Sequence, residues 1–173
     1  MAKAARALRQ VFSVEDIQLS TLIKAPCPRV FDLARSIDAH MASAAPTGER
    51  AIAGVTTGLI ELNDEVTWEA THFGLRLRLT VRVTEFEKPR FFRDVLVSGN
   101  FKRMVHDHYF DEDRGMTVMR DCFRFTSPFG VLGIIGDKVF LKFYMRRFLV
   151  HRNKLLKEMA EGSDWMQYVS PTL

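Results

Sequence analysis

Cysteine is scarce in this chain: Cys27 and Cys122 are the only two in 173 residues. Neither has a neighbour at C-x-x-C spacing. That excludes a zinc ribbon, a redox dithiol and a disulfide-dense scaffold. Two reduced, structural thiols are expected, as in a cytoplasmic protein. Long apolar runs are missing too. No stretch of eighteen apolar residues exists, so no membrane span is expected. The opening MAKAARALRQ is basic but lacks the apolar centre of a signal peptide. There is no Gly-x-Gly-x-x-Gly, P-loop, Gly-x-Ser-x-Gly or His-Glu-x-x-His pattern. The Gly-Val-Leu-Gly-Ile-Ile-Gly run at 130–136 follows an antiparallel strand pattern and carries no Lys-Ser/Thr. No cofactor and no metal are implied. With no RNP-like strand, zinc finger or helix-turn-helix pattern, the net charge of +4 is not read as nucleic-acid binding.

What the chain does have is phenylalanine, 14 of them. Phe buries area and satisfies no polar group, so it suits a core and an apolar pocket equally. Length and composition point to one domain. Residues 1–11 read as a loose lead, 12–161 as the domain and 162–173 as a polar tail.

Hydrophobic alternation orders the middle of the chain. Residues 12–24 read as a strand that Ala25-Pro26-Cys27-Pro28 stops. Pro28 suits the first turn of a helix over 29–36, and a second short helix follows at 38–43. Residues 49–54 form a short strand. Strict alternation then gives strands at 65–72 and 75–83 around Phe73-Gly74. Pairing His72 with Leu75 sets Ala70 opposite Leu77, Trp68 opposite Leu79 and Val66 opposite Val81. The other face pairs Glu69 with Arg78 and Glu65 with Arg82. A slip of one residue would reverse both faces. Strands at 91–97, 101–110 and 116–125 complete a run of about six. A helix over 137–161 follows, with Asp137 as its cap and the connection 130–136 as a hinge. The class is α+β, with helices on one side of an antiparallel sheet.

The hairpin 101–125 is where chemistry can sit. Pairing Asp111 with Met116 puts His106 opposite Asp121, His108 opposite Met119 and Met104 opposite Phe123. Asp107 then pairs with Arg120 on the solvent side, so the face with Met104, Met119 and Phe123 turns inward. His106, His108 and Asp121 go with it, and Asp94 shares the face if the 98–100 loop has three residues. A buried His beside a buried carboxylate must hydrogen bond to it. Four readings follow: a structural pair, polar anchors of a ligand pocket, an acid/base dyad of His106 with Asp121, or a metal site lacking a third strong ligand. Trp68 and His72 lie on the apolar face of their hairpin, as core or as ligand contacts.

The last helix carries seven basic residues between 137 and 157, among them Arg152. They are read as a solvated face or as a contact for an anionic surface. Its apolar stripe, with Phe140, Phe143, Tyr144 and Phe148, covers the sheet.

This order resembles the START-related helix-grip superfamily, also called SRPBCC or polyketide cyclase/dehydrase-like, in a bacterial branch. The residues that carry the resemblance begin with Ile23-Lys24-Ala25-Pro26 and Val30-Phe31-Asp32-Leu33. Glu65 to Ala70 with His72-Phe73-Gly74 continues it, as do Phe92-Arg93-Asp94, Gly99-x-Phe101 and His106-x-His108. The approach from Pro128-x-Gly130 to Gly136-Asp137 completes it. Asp38-Ala39-His40-Met41 stands where the family has a tryptophan-rich segment. The resemblance implies a curved sheet wrapped around the terminal helix and an enclosed apolar cavity. The expected function is binding of a small hydrophobic molecule of lipid, polyketide or aromatic type. Its contacts would be Trp68, His72, Leu77, Leu79, Asp94, Met104, His106, His108, Met119, Asp121, Phe123, Phe140, Tyr144 and Phe148. The alternatives are a cyclase/dehydratase using His106 with Asp121, and a protein-interaction module using the basic helix face. A homodimer is a further partner option.

Overall fold

Seven antiparallel strands form one sheet in the order β1-β7-β6-β5-β4-β3-β2. They are β1 (Glu15–Ile23), β2 (Arg50–Gly54), β3 (Glu65–His72), β4 (Leu75–Glu87), β5 (Phe91–Gly99), β6 (Arg103–Asp113) and β7 (Met116–Thr126). Helices α1 (Cys27–Ala34) and α2 (Ile37–Ser43) fill the connection from β1 to β2, and α3 (Gly136–Glu161) follows β7. The structure is a computed structural model. It describes residues 14–72, 74–126 and 136–170, less the side chains of 46 and 136–139. The expected Asp137 cap and most of the 130–136 hinge lie outside the described residues.

The β3–β4 register is the one the alternation demands, from His72 with Leu75 to Glu65 with Arg82. Its outer face carries Arg78 Nε to Glu69 at 3.0 Å and an Arg82–Glu65 ion pair. β4 then runs on to Glu87, past the expected end, and its pairing with β5 shifts register at Thr80/Val81 and Val83/Glu85. Such shifts bend a strand and tighten its twist.

β6 and β7 pair differently from the sequence reading. Asp113 meets Met116, so His108 faces Asp121, His106 faces Phe123 and Met104 faces Phe125. The turn is two residues rather than four. Arg114 and Gly115 both take positive φ, 52° and 77°, and this is the geometry a tight hairpin requires. The slip is therefore two residues, which keeps every side chain on its expected face. The outer face does change partners. Asp107 pairs with Arg93 and Arg124 instead of Arg120, and Arg120 pairs with Asp111.

α1 buries Cys27, Val30, Phe31, Leu33 and Ala34 against the sheet. Phe31 meets Phe86, Phe92 and Phe110 edge-on at 5.3–5.8 Å between centroids. Ser36 caps α2 by accepting from the Ala39 amide at 3.3 Å. α3 packs on β1, α1 and α2. Its inward line is Leu149, Arg152, Asn153, Leu156 and Ala160, all buried at helical spacing. Phe143, Arg147, Val150 and Lys154 form the opposite, exposed line. Arg152 thus belongs to the interior, not to the solvated basic face.

Candidate functional site

β6 alternates, so His106 and His108 point to one side of the sheet, with Asp121 on β7 and Asp94 on β5 beside them. The four form a buried network. Asp121 Oδ1 lies 3.0 Å from both His106 Nε2 and His108 Nδ1. His108 Nε2 reaches Asp94 Oδ2 at 3.2 Å. Asn153 of α3 donates to Asp121 Oδ2 at 2.6 Å, so the helix is tied to the sheet through this carboxylate. The two imidazoles lie 3.8 Å apart between centroids, with Phe92 stacked on His108 and Phe123 edge-on to His106.

The electrostatics separate the two histidines. Burial pushes His106 down to about 4, aided by the neighbouring His108. Burial also opposes charge on His108, but its hydrogen bonds to Asp121 and Asp94 outweigh that and raise its pKa. Burial would raise Asp121 as well; the two histidines outweigh it and hold the carboxyl well below the ordinary range. Near neutral pH the network therefore presents an ionised Asp121 and a neutral His106, with His108 the more readily protonated of the two imidazoles. That is the division of labour an acid/base site needs. Asp94, His106 and His108 could also hold a metal ion, since one donor atom from each lies within 4.8 Å of the others. These groups are already hydrogen-bonded, His106 to Asp121 and His108 to Asp121 and Asp94, and the buried Arg152 lies on the same side, so the set fits a hydrogen-bonded network better than a cation.

A second polar group faces the same interior. His40 of α2 stacks on Trp68 at 4.1 Å and contacts Glu49 at 3.1 Å. Burial lowers the pKa of His40. Burial opposes ionisation of Glu49, but His40 outweighs it and the Glu49 pKa is lowered. We take the pair as a neutral imidazole donating to a carboxylate, because both shifts point that way. His72 Nδ1 and the Tyr144 hydroxyl are 2.6 Å apart, with Phe148 edge-on to the same imidazole. Burial depresses His72 and raises Tyr144, which keeps both neutral.

The structure thus brings Asp94, His106, His108, Asp121 and Phe123 together, and separately His72, Tyr144 and Phe148, while Trp68 stacks on His40. Leu77 and Leu79 line β4 half-buried, while Met104 and Met119 are buried in the core. Phe140 is 56% exposed. Sequence reasoning missed His40, Glu49, Arg152 and Asn153. For Arg152 and Asn153 the phase of the helix was the available signal, since they continue the line of Leu149 and Leu156. Two surface depressions lie away from the network. One of ≈ 490 Å³ includes Arg93, Val105 and Arg124 of the outer sheet face; the other, ≈ 340 Å³, lies between α1 and Trp165. The buried polar groups, not these open surfaces, mark the candidate site.

No protein-family profile matches the chain. No curated protein matches it either. Solved structures do. A Thermus thermophilus protein superposes with a TM-score of 0.71 at 16% identity, over 84% of this chain and 97% of that one. The Zhui aromatase/cyclase of a Streptomyces species gives 0.67 at 14% identity, over 86% and 94%. A START superfamily protein of Mycobacterium smegmatis gives 0.63 at 12% identity, over 84% and 97%. The chain has the helix-grip fold. In a helix-grip domain the sheet's inner face and the C-terminal helix confront each other, and here Asp121 and Asn153 meet across that boundary.

Proposed function

We propose that this helix-grip protein binds a small, largely hydrophobic organic molecule between the inner face of the sheet and α3. The observation that carries the reading is the network of His106, His108, Asp94 and Asp121, set among Phe92 and Phe123 on the inner face. A few convergent polar groups in an aromatic setting orient an apolar ligand. Trp68, His72, Tyr144 and Phe148 supply further wall. Native mass spectrometry of protein purified from its source should reveal a stoichiometric organic molecule that leaves on denaturation. Protein that carries none, and that binds nothing from a panel of fatty acids, alcohols and polycyclic aromatics, would overturn the reading.

A second reading, proton transfer on the bound molecule, rests on the neutral His106 held beside an ionised Asp121. Here His106→Ala should keep ligand affinity and lose turnover. Loss of binding in that variant assigns His106 to anchoring instead.

A further inference from the structure

Two of the described arginines are buried, and they are treated differently. Arg35, 2% exposed, is fully engaged: Nε to Asp32 at 2.7 Å, and Nη1 to the Ile60 carbonyl at 3.0 Å and Glu61 at 2.5 Å. Arg152, 7% exposed, has no hydrogen bond or ion pair among the described residues, and its Nε is buried without an acceptor. A buried guanidinium nitrogen left without an acceptor is costly for a fold to hold. Most of the nearby carboxylate oxygens are spoken for. Asp121 Oδ1 serves both histidines, Asp121 Oδ2 serves Asn153, and Glu49 Oε2 serves His40. The charge of Arg152 is nonetheless felt by His40, Glu49 and His106, which come from three different segments. Arg152 lies on the inward line of α3, within electrostatic reach of α2, of Glu49 and of β6.

We infer that Arg152 is the anchor for an anionic head, and that the molecule bound inside is an amphipathic organic acid, its carboxylate or equivalent oxyanion taken by this guanidinium. The inference rests on the binding function proposed above and narrows it to a ligand class. Arginine suits the task because its planar fork matches two oxyanion oxygens. Besides Arg124 Nε on β7, Asp94 Oδ1 on β5 is the other buried side-chain atom without a partner among the described residues. A hydroxyl near the acid group would satisfy it.

Calorimetric titration with decanoate and with 1-decanol, equal in chain length, tests this directly. The wild type should bind decanoate about 10- to 100-fold more tightly, the range for a hydrogen-bonded charge pair. In Arg152→Gln that preference should fall to about unity while 1-decanol affinity is kept, and Arg152→Lys should restore part of it. Equal wild-type affinity for both probes overturns the anchor and leaves the binding function standing. Binding of neither also overturns the anchor, and the binding function is then decided by the wider panel above. The unliganded Arg152→Gln protein gives an independent reading: its Tm should equal or exceed that of the wild type. A drop of more than about 4 °C would mean that the guanidinium is paired in the free protein, and the inference fails.

Discussion

Asp121 is the residue on which the interior turns. It accepts from two imidazoles and one amide, and it joins two strands to α3. In Asp121→Asn one acceptor becomes a donor pointed at another donor, and the histidines lose their counter-charge. Unfolding in urea should show a loss of about 3–5 kcal/mol; a loss under about 1 kcal/mol would remove Asp121 from the hub. His106 makes a pH prediction. Its folded pKa, about 4, lies below its ordinary 6.5. The unfolded chain therefore binds the proton first, and the stability His106 contributes is lost as pH falls from 6.5 to 4. The full span corresponds to about 3 kcal/mol. Compared with His106→Gln, the wild type should lose stability across that window and level off below it. A constant difference between the two from pH 7 to 4 would mean that His106 is not held neutral. His108, whose pKa is raised, contributes in the opposite sense, so the comparison must be made between these two proteins and not read from the wild type alone. At this scale the sequence was half legible. A period of two placed His106, His108, Asp94 and Asp121 on one face. Arg152 and Asn153 were hidden because a helix dense in lysine and arginine reads as a solvated face until its phase is fixed by what it packs against.

Among the elements, the strand pairs were legible where charge and hydrophobicity agreed, as in β3–β4. The β6–β7 register was not, because Asp111 to Arg114 offered four polar residues and no apolar one to say where pairing ends. Parity nonetheless saved the site. Two glycines separate two kinds of turn cost. Gly115 has open space where a Cβ would stand and only its φ of 77° to protect, so Gly115→Ala should cost about 1 kcal/mol. At Gly54 a Cβ would stand 2.1 Å from the Glu65 carbonyl oxygen, a backbone atom that cannot step aside. Gly54→Ala should therefore cost clearly more, and chemical denaturation of the two variants side by side decides it; equal losses would refute the argument. α3 offers a similar contrast. Leu149 is 2% exposed and Phe143 is 64% exposed. Leu149→Ala should cost about 2–5 kcal/mol and Phe143→Ala no more than about 0.5 kcal/mol, by the same measurement. A large effect at Phe143 would reveal a partner covering that face.

For the whole molecule, the α+β order and the single sheet followed from the run of strands and the one long helix, and the helix-grip arrangement followed from their sequence. No described helix is long and apolar enough to cross a membrane. The β1–β7 pairing could not be read from local pattern, since it joins Glu15 to Phe125 and Ile23 to Thr117. It has a consequence for biosynthesis. β1 leaves the ribosome first, yet its strand neighbour is the last one made. Until β7 emerges, β1 has no partner within the sheet, and the nascent chain holds an open strand while β2 to β6 are made. Asn153 comes later still, so Asp121 and its histidines stay wet until α3 arrives. The interior is therefore sealed only once α3 has been made, and a small molecule already present in the surrounding water would have its easiest way in before that moment.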